Sequence, residues 1–168
     1  LFATRYVAPP MLGWKDIPVE ILHPCEFYYE LLKEGKIKIA RKLKEPVTLQ
    51  EPCNFVRRAG GAEKLQYLVN ATCENFIEMY PNREHNFCCL AGGGVVAMGP
   101  PWKGVRMEGG RIKAEQLKAT GAKILVAPCH NCYTGMSHIV EHYNLGMKVK
   151  FMDEILTETM EISEELKV

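Results

Sequence analysis

Lys123-Ile124-Leu125-Val126-Ala127-Pro128-Cys129-His130-Asn131-Cys132 begins as a strand-sized apolar run, breaks at a proline and ends on two cysteines. Beyond it Met136, Ile139, Val140 and Tyr143 recur at helical spacing and stop before Gly146, so strand, turn and helix follow in that order. The same alternation returns along the rest of the chain. β-leaning runs occur at Pro18–Leu22, Pro46–Gln50, Glu84–Phe87 and Met147–Met152. Leu65, Leu68, Val69, Thr72, Cys73, Phe76 and Tyr80 mark a helix that buries one stripe, and Ile112 and Leu117 mark a shorter one stopped by Gly121. Ile155, Leu156, Met160 and Ile162 give the acidic stretch Asp153–Glu165 one packed face, while the basic stretch Lys33–Lys44 reads as solvated surface. This pattern predicts an α/β fold with a mainly parallel sheet of about five strands covered by helices.

The composition agrees with an ordinary globular domain. The chain has 168 residues, of which 47% are apolar and 24% charged. A chain this long buries roughly 68–70% of its unfolded surface and needs no disulfides to hold a core. Residues 1–168 therefore read as a single domain, with its core at about 46–156. A net charge of +1 excludes a nucleic-acid binder that works through a basic field. No run approaches the ~20 apolar residues that span a bilayer. Leu1-Phe2-Ala3-Thr4-Arg5 has neither an initiator Met nor the features of a signal peptide, and reads as the cut end of a longer protein of which this is the C-terminal part. With no export signal, a reducing cytoplasmic compartment is expected, where clustered cysteines mean metal or redox chemistry more often than structural bridges.

Seven cysteines are present, an odd number that leaves one thiol over in any all-disulfide scheme. Cys53, the pair Cys88-Cys89, and Cys129 with Cys132 all fall just beyond expected strand ends, which a parallel sheet places on one edge. Five thiols from three loops would meet there. Each loop is expected to precede a helix, whose N-terminus favours thiolate, and Arg57, Arg58, Lys103 and Arg106 supply cations nearby. Thiolates in this number select zinc or iron–sulfur clusters. Five fit a multi-iron cluster better than one zinc, because adjacent side chains such as Cys88 and Cys89 point apart.

The pattern Cys53-x34-Cys88-Cys89-x39-Cys129-x2-Cys132, centred on Cys88-Cys89-Leu90-Ala91-Gly92-Gly93-Gly94, resembles the cysteine-rich CCG domain of heterodisulfide reductase catalytic subunits. The resemblance covers about residues 46–156 and includes Pro52-Cys53 followed by Arg57. Glu78–Glu84 and Arg111–Leu117 look more narrowly like the heterodisulfide-reductase-like subunit of the membrane complex associated with dissimilatory sulfite reduction. The resemblance implies that Cys53, Cys88, Cys89, Cys129 and Cys132 bind a noncubane [4Fe-4S] cluster at which a disulfide is reductively split. It also implies an electron-donating iron–sulfur domain or subunit as partner. The disulfide would be a small heterodisulfide or one on a small sulfur-carrier protein, and the location peripheral on the cytoplasmic face of a membrane complex. Some relatives bind zinc through similar cysteines, so zinc stays open as the metal. The family carries Gly directly after the Cys-Cys pair where this chain has Leu90; a φ > 0 there would be costly for Leu.

Other readings sit beside this one. Gly92, Gly93 and Gly94 lack a phosphate-loop signature and read as a close backbone approach to a cluster or substrate, or as a plain turn. His130, inside the Cys-x-x-Cys loop, is the candidate proton donor to a leaving thiolate. Cys73 reads as core packing, and Cys25 as a buried thiol or a thiol near the site. His138-Ile139-Val140-Glu141-His142 matches a zinc-protease pattern but reads as the polar face of a helix. The functional alternatives are a non-catalytic zinc or iron–sulfur module in an electron-transfer complex and a metal-free thiol–disulfide protein.

Overall fold

The computed structural model describes residues 2–17 and 19–161. Among these residues, three strands form one parallel sheet in the order β1 (Val47–Leu49), β2 (Ile124–Val126), β3 (Lys148–Lys150). Val47 pairs with Ile124, and Ile124 with Lys148. β1 and β2 are buried on both faces, which is why both are dominated by apolar side chains. β3 is the edge strand, and its Lys148 and Lys150 discourage pairing with another chain.

Among the same residues, seven α-helices surround the sheet. They are α1 (Ala8–Met11), α2 (Pro24–Lys33), α3 (Ala62–Thr72), α4 (Trp102–Gly109), α5 (Arg111–Thr120), α6 (His130–His142) and α7 (Met152–Thr159). Alternation along β2 divides the interior in two. Ile124 and Val126 join Leu65, Leu68 and Ile155 of α3 and α7 on one face, while Leu125 and Ala127 join Leu117, Met136 and Ile139 of α5 and α6 on the other. Each fully buried Leu or Ile contributes roughly 1.5–3 kcal/mol, so both small cores are needed.

Two expected strands do not form. Val19–Leu22 has no strand partner; the Ile21 carbonyl is taken by the Arg5 guanidinium (Nε to O 2.8 Å), and Pro24 opens α2. Pro18 lies outside the described residues. Glu84–Phe87 begins instead in a 3-10 turn, Arg83–His85, and its carbonyls are claimed by side chains rather than by a neighbouring strand. Arg57 donates to the Glu84 and Asn86 carbonyls, both at 2.6 Å, and Gln50 donates to the Phe87 carbonyl at 3.3 Å.

Helix boundaries differ too. α3 stops at Thr72 and Cys73 turns extended, so Cys73 and Phe76 bridge to Leu43 and Val47 and cover the outer edge of β1. Tyr80 is exposed. On α5, Ile112 is exposed, and the buried positions are Lys113, Ala114, Gln116 and Leu117. α7 ends at Thr159, Met160 bridges to Ile39, and Ile162 lies outside the described residues.

Candidate metal centre

Parallel topology places the ends of β1 and β2 on one edge, and the chain continues from them to Cys53 and Cys129. Cys129 is the N-cap of α6 and Cys132 lies in its first turn. Cys53 opens a run of turns and not a regular helix. Cys88-Cys89 arrives by a different route, on the irregular segment that Arg57 and Gln50 tie beside β1. Gln50 also donates to Asn86 Oδ1 at 3.3 Å. The opposite side of that loop rests on α6, where Gly135 has no Cβ to collide with the Cys89 carbonyl.

The five thiols lie near enough to act on one another. Cys88 interacts with Cys89, Cys89 with Cys132, and Cys132 with Cys129, while Cys53 lies within electrostatic range of Cys88. Hydrogen bonds from the Cys132 and Cys88 thiols hold Cys89 well below the ordinary thiol range. Cys129 is lowered to about 6 by the Cys132 thiol and by the amides of Cys132 and Asn131 at the start of α6. Cys88 and Cys132 are pushed up, Cys88 by its bond to Cys89 and by burial, Cys132 by its bonds to Cys129 and Cys89. The cluster thus shares thiolate character unequally, with Cys89 and Cys129 favoured as anions.

Cys53 and Cys88 open onto a cleft of about 630 Å³. Its walls include Arg57, Arg58, Leu90, Gly92, Gly93 and Arg106, so cationic and apolar surfaces face two thiols. Arg106 is buried; its Nε donates to the Leu90 carbonyl at 2.6 Å and its Nη1 lies 3.4 Å from His138 Nδ1. Leu90 has φ 56°, the left-handed conformation that makes a side chain costly after the Cys-Cys pair. Gly93 and Gly94 have φ of 65° and 80°, which explains glycine there, whereas Gly92 is not left-handed; a Cβ on any of the three would meet no protein atom within 4 Å.

The remaining candidates lie apart from these thiols or beside them. His130 is exposed beside Cys129, its ring nearly parallel to that of Phe151 at 6.5 Å between centroids. Cys25 and Cys73 are buried in the core of the α3 and α7 face, and burial, aided by Asp153 and Glu26, pushes Cys25 up to about 12. His138 faces Arg106, and His142 is exposed with its ring edge against Tyr143. Lys113 is not among the cations that the sequence pattern singles out. It is 2% exposed, and burial brings it down to about 8 against the opposing pull of Cys89, Cys132, Glu51 and Cys88. A signal for it exists: Lys113 precedes Leu117 by one helical turn and so belongs to the buried stripe.

The donor set fits a multi-atom sulfur-bound group. All five candidate ligands are soft thiols from three loops. Among the described residues, no three Cys, His, Asp or Glu side chains stand as ligands around one metal ion. A group with several metal atoms suits five thiols better than a single zinc, which takes four.

A parallel α/β domain that gathers five cysteines from three loops at one sheet edge is a thiol-rich metal or redox domain. Residues 47–137 match the cysteine-rich domain family known as CCG, and the chain belongs to that family. It is 31% identical over 159 residues to one of the subunits of dihydromethanophenazine:CoB–CoM heterodisulfide reductase from Methanosarcina mazei, covering 94% of this chain and 38% of that protein. It is 33% identical over 116 residues to an Hdr-like menaquinol oxidoreductase iron–sulfur subunit of Archaeoglobus profundus, covering 64% and 20%. It is 27% identical over 152 residues to EtfAB:quinone oxidoreductase of Syntrophomonas wolfei, covering 84% and 21%. The chain thus spans less than two fifths of the length of these relatives. No solved structure matches it. The relatives are oxidoreductases or their subunits, and their kinship supports an iron–sulfur redox role.

Proposed function

We propose that this domain is the catalytic iron–sulfur part of a heterodisulfide-reductase-like enzyme, in which Cys53, Cys88, Cys89, Cys129 and Cys132 hold a noncubane [4Fe-4S] cluster. The observation that carries the reading is that Cys53 and Cys88 line one cleft of about 630 Å³ while Cys88, Cys89, Cys129 and Cys132 lie near enough to act on one another. When bound, the cluster supplies a store for single electrons and a soft site for sulfur, which a zinc ion without redox chemistry cannot do.

The chain's own residues do the rest. Arg57 fixes the loop before Cys88, Arg106 fixes Leu90 after it, and Leu90 and Val95 give the cleft an apolar wall. Arg58 draws anionic sulfur compounds toward Cys53 and Cys88. His130, exposed beside Cys129, delivers a proton to a leaving thiolate. Overall R–S–S–R′ takes two electrons and two protons to give RSH and R′SH. The electrons arrive one at a time from an iron–sulfur domain or subunit, and the disulfide is a small heterodisulfide or one on a sulfur-carrier protein.

Among the described residues, no helix is long and apolar enough to cross a membrane. One relative carries the name of a menaquinol oxidoreductase subunit. That name supports a place beside a quinol-linked complex; its cytoplasmic face, with the chain peripheral there, is the side we propose.

The test is anaerobic purification followed by iron, zinc and acid-labile sulfide analysis. Iron with matching sulfide, lost on substitution of Cys89 or Cys132, is expected. Stoichiometric zinc without sulfide overturns the catalytic reading in favour of a non-catalytic zinc module.

A further inference from the structure

Arg106 lies on α4, in the wall of the cleft onto which Cys53 and Cys88 open, and it is 7% exposed. Its Nε donates to the Leu90 carbonyl at 2.6 Å, and its Nη1 lies 3.4 Å from His138 Nδ1. Its Nη2 is buried and has no hydrogen-bond partner. Among the described residues, no carboxylate forms an ion pair with this guanidinium. A guanidinium keeps its charge throughout the physiological range, so burial cannot neutralise it. A charge taken out of water is tolerated only where an anion or a full set of hydrogen bonds replaces the water. Leu90 and His138 supply two uncharged contacts, and Nη2 is left over.

The cleft is the place for the missing anion. At about 630 Å³ it has the size of a small-molecule site. Among the described residues its walls hold three arginines, Arg57, Arg58 and Arg106, and no Asp or Glu, while Leu90 and Val95 are apolar. The three arginines are not equivalent. Arg57 spends its donors on the Glu84 and Asn86 carbonyls, and Arg58 lies over the Phe2 ring. Both are exposed, so their fields are screened by water and salt. Arg106 brings a donor that is unspent and covered from bulk water, where a bond to an anion meets little competition from solvent.

We propose that Arg106 is the anion-recognising residue of this cleft, and that the disulfide taken there is a small one with an acidic group, such as a carboxylate, set apart from its sulfurs. The disulfide part of this inference rests on the function proposed above; the preference of the cleft for a small acidic ligand does not. The flat guanidinium offers N–H donors in a fork that matches the oxygens of such a group. Leu90 and Val95 face the apolar stem between acid and sulfur. Arg106 holds a part of the substrate that does not react, so it sets which disulfide is bound and leaves the chemistry at sulfur to the thiol-held centre.

The test uses two thioethers that cannot exchange with thiols, the dianion thiodipropionate and its neutral counterpart thiodipropanol, with binding measured by calorimetry on the protein as purified anaerobically. Wild type is expected to prefer the dianion, and to keep that preference when ionic strength rises from about 0.1 M to about 1 M, because the recognising charge is buried. Equal affinity for the two probes overturns the proposal, as does a preference that salt abolishes, which assigns it to the exposed Arg57 and Arg58. Acetate binding as tightly as thiodipropionate overturns it too, by showing an adventitious anion only. In Arg106→Gln, which can still donate to the Leu90 carbonyl, and in Arg106→Met, the preference should fall roughly tenfold to a hundredfold while thiodipropanol binding and metal content per chain stay at the wild-type level. Equal weakening of both probes would make Arg106 a scaffold for Leu90, and loss of metal with the preference intact would make it a counter-charge of the centre; either result overturns the proposal. If Met fails to fold, Gln and the wild-type salt series decide by the same criteria. If the protein takes up zinc and never a cluster, the proposed function fails while the probe comparison still decides the role of Arg106.

Discussion

Gly135 of α6 lies against the Cys89 carbonyl so closely that a Cβ there would be 2.4 Å from that oxygen and 2.7 Å from the Ala91 Cβ. This contact lets the helix that carries Cys132 reach the loop that carries Cys88 and Cys89. Gly135→Ala is expected to cost about 1–3 kcal/mol by overpacking and to separate Cys132 from Cys89. Urea unfolding and metal content per chain measure both effects. Gly92→Ala is the control, since its Cβ meets nothing within 4 Å and its φ is not left-handed; it should stay within about 0.5 kcal/mol of wild type.

Much of this arrangement is legible in the sequence, and the failures have physical causes. Val47–Leu49, Ile124–Val126 and Lys148–Lys150 fall inside expected runs because two are buried on both faces and the third alternates Val149 with lysines. Glu84–Phe87 misleads because side chains far away in sequence, Arg57 and Gln50, satisfy its carbonyls. Periodicity carries α3 on to Tyr80, but Cys73 and Phe76 gain more from bridging to Leu43 and Val47 along the β1 edge. The five cysteines are picked out by their place beyond expected strand ends, although the strand expected before Cys88 does not form, and by the resemblance that their spacing carries. Lys113 escapes the pattern because Ile112, an apolar neighbour one position away, takes its place in the expected buried stripe.

Leu90 offers a sharp test of backbone strain. At φ 56° a leucine costs roughly 1–2 kcal/mol relative to an ordinary conformation, and glycine escapes that cost. Leu90→Gly and Leu90→Ala both lose the side chain, but only Gly relieves the backbone. Leu90→Gly is therefore expected to be more stable than Leu90→Ala by about 1 kcal/mol in urea unfolding. Equal stabilities, or an advantage for Ala, would show that the left-handed conformation is not retained.

Cys25 and Cys73 should be dispensable for metal. Both sit in the core of the α3 and α7 face, and Cys25, pushed up to about 12 by burial first and then by Asp153 and Glu26, stays a neutral thiol throughout the physiological range. Cys25→Ala and Cys73→Ala should keep full metal content and the wild-type absorption spectrum, at a stability cost of roughly 1–2 kcal/mol for the small voids left. Cys129→Ala should lose metal. Loss of metal in Cys25→Ala, with the fold intact by circular dichroism, would place that thiol at the centre.

Acid should weaken the anchoring of α2. Burial tends to raise the Glu26 carboxyl, but Arg5 at 2.6 Å, the His23 amide and Lys64 outweigh it and bring the group down from 4.5 to about 2. A carboxyl depressed in the folded state contributes stability that is complete above about pH 4.5 and is lost as pH falls toward 2. Wild type should therefore lose stability across that window more steeply than Glu26→Gln. At pH 7 the variant should be less stable by about 1–3 kcal/mol, because Arg5 loses its anion, while the Gln oxygen can still accept from the His23 amide. Parallel acid limbs in the two proteins would remove Glu26 from this role.

Arg57 holds the irregular segment that replaces a strand. Its Nε and Nη2 reach two different carbonyls, Glu84 and Asn86, both at 2.6 Å, and the segment between them leads straight to Cys88. A lysine has one nitrogen and can satisfy one of the two, so Arg57→Lys should recover only part of what Arg57→Ala loses. Because the side chain is exposed, the stability cost of Arg57→Ala should be modest, about 1–2 kcal/mol. The effect on metal should be larger, roughly a tenfold loss of affinity, since an unanchored loop must be ordered again each time Cys88 and Cys89 are brought to Cys132. Hydrogen exchange should show faster opening of residues 84–89 in Arg57→Ala than in Arg57→Lys. If metal affinity falls while that exchange stays at the wild-type rate, Arg57 acts on the centre directly through its charge and not by holding the loop.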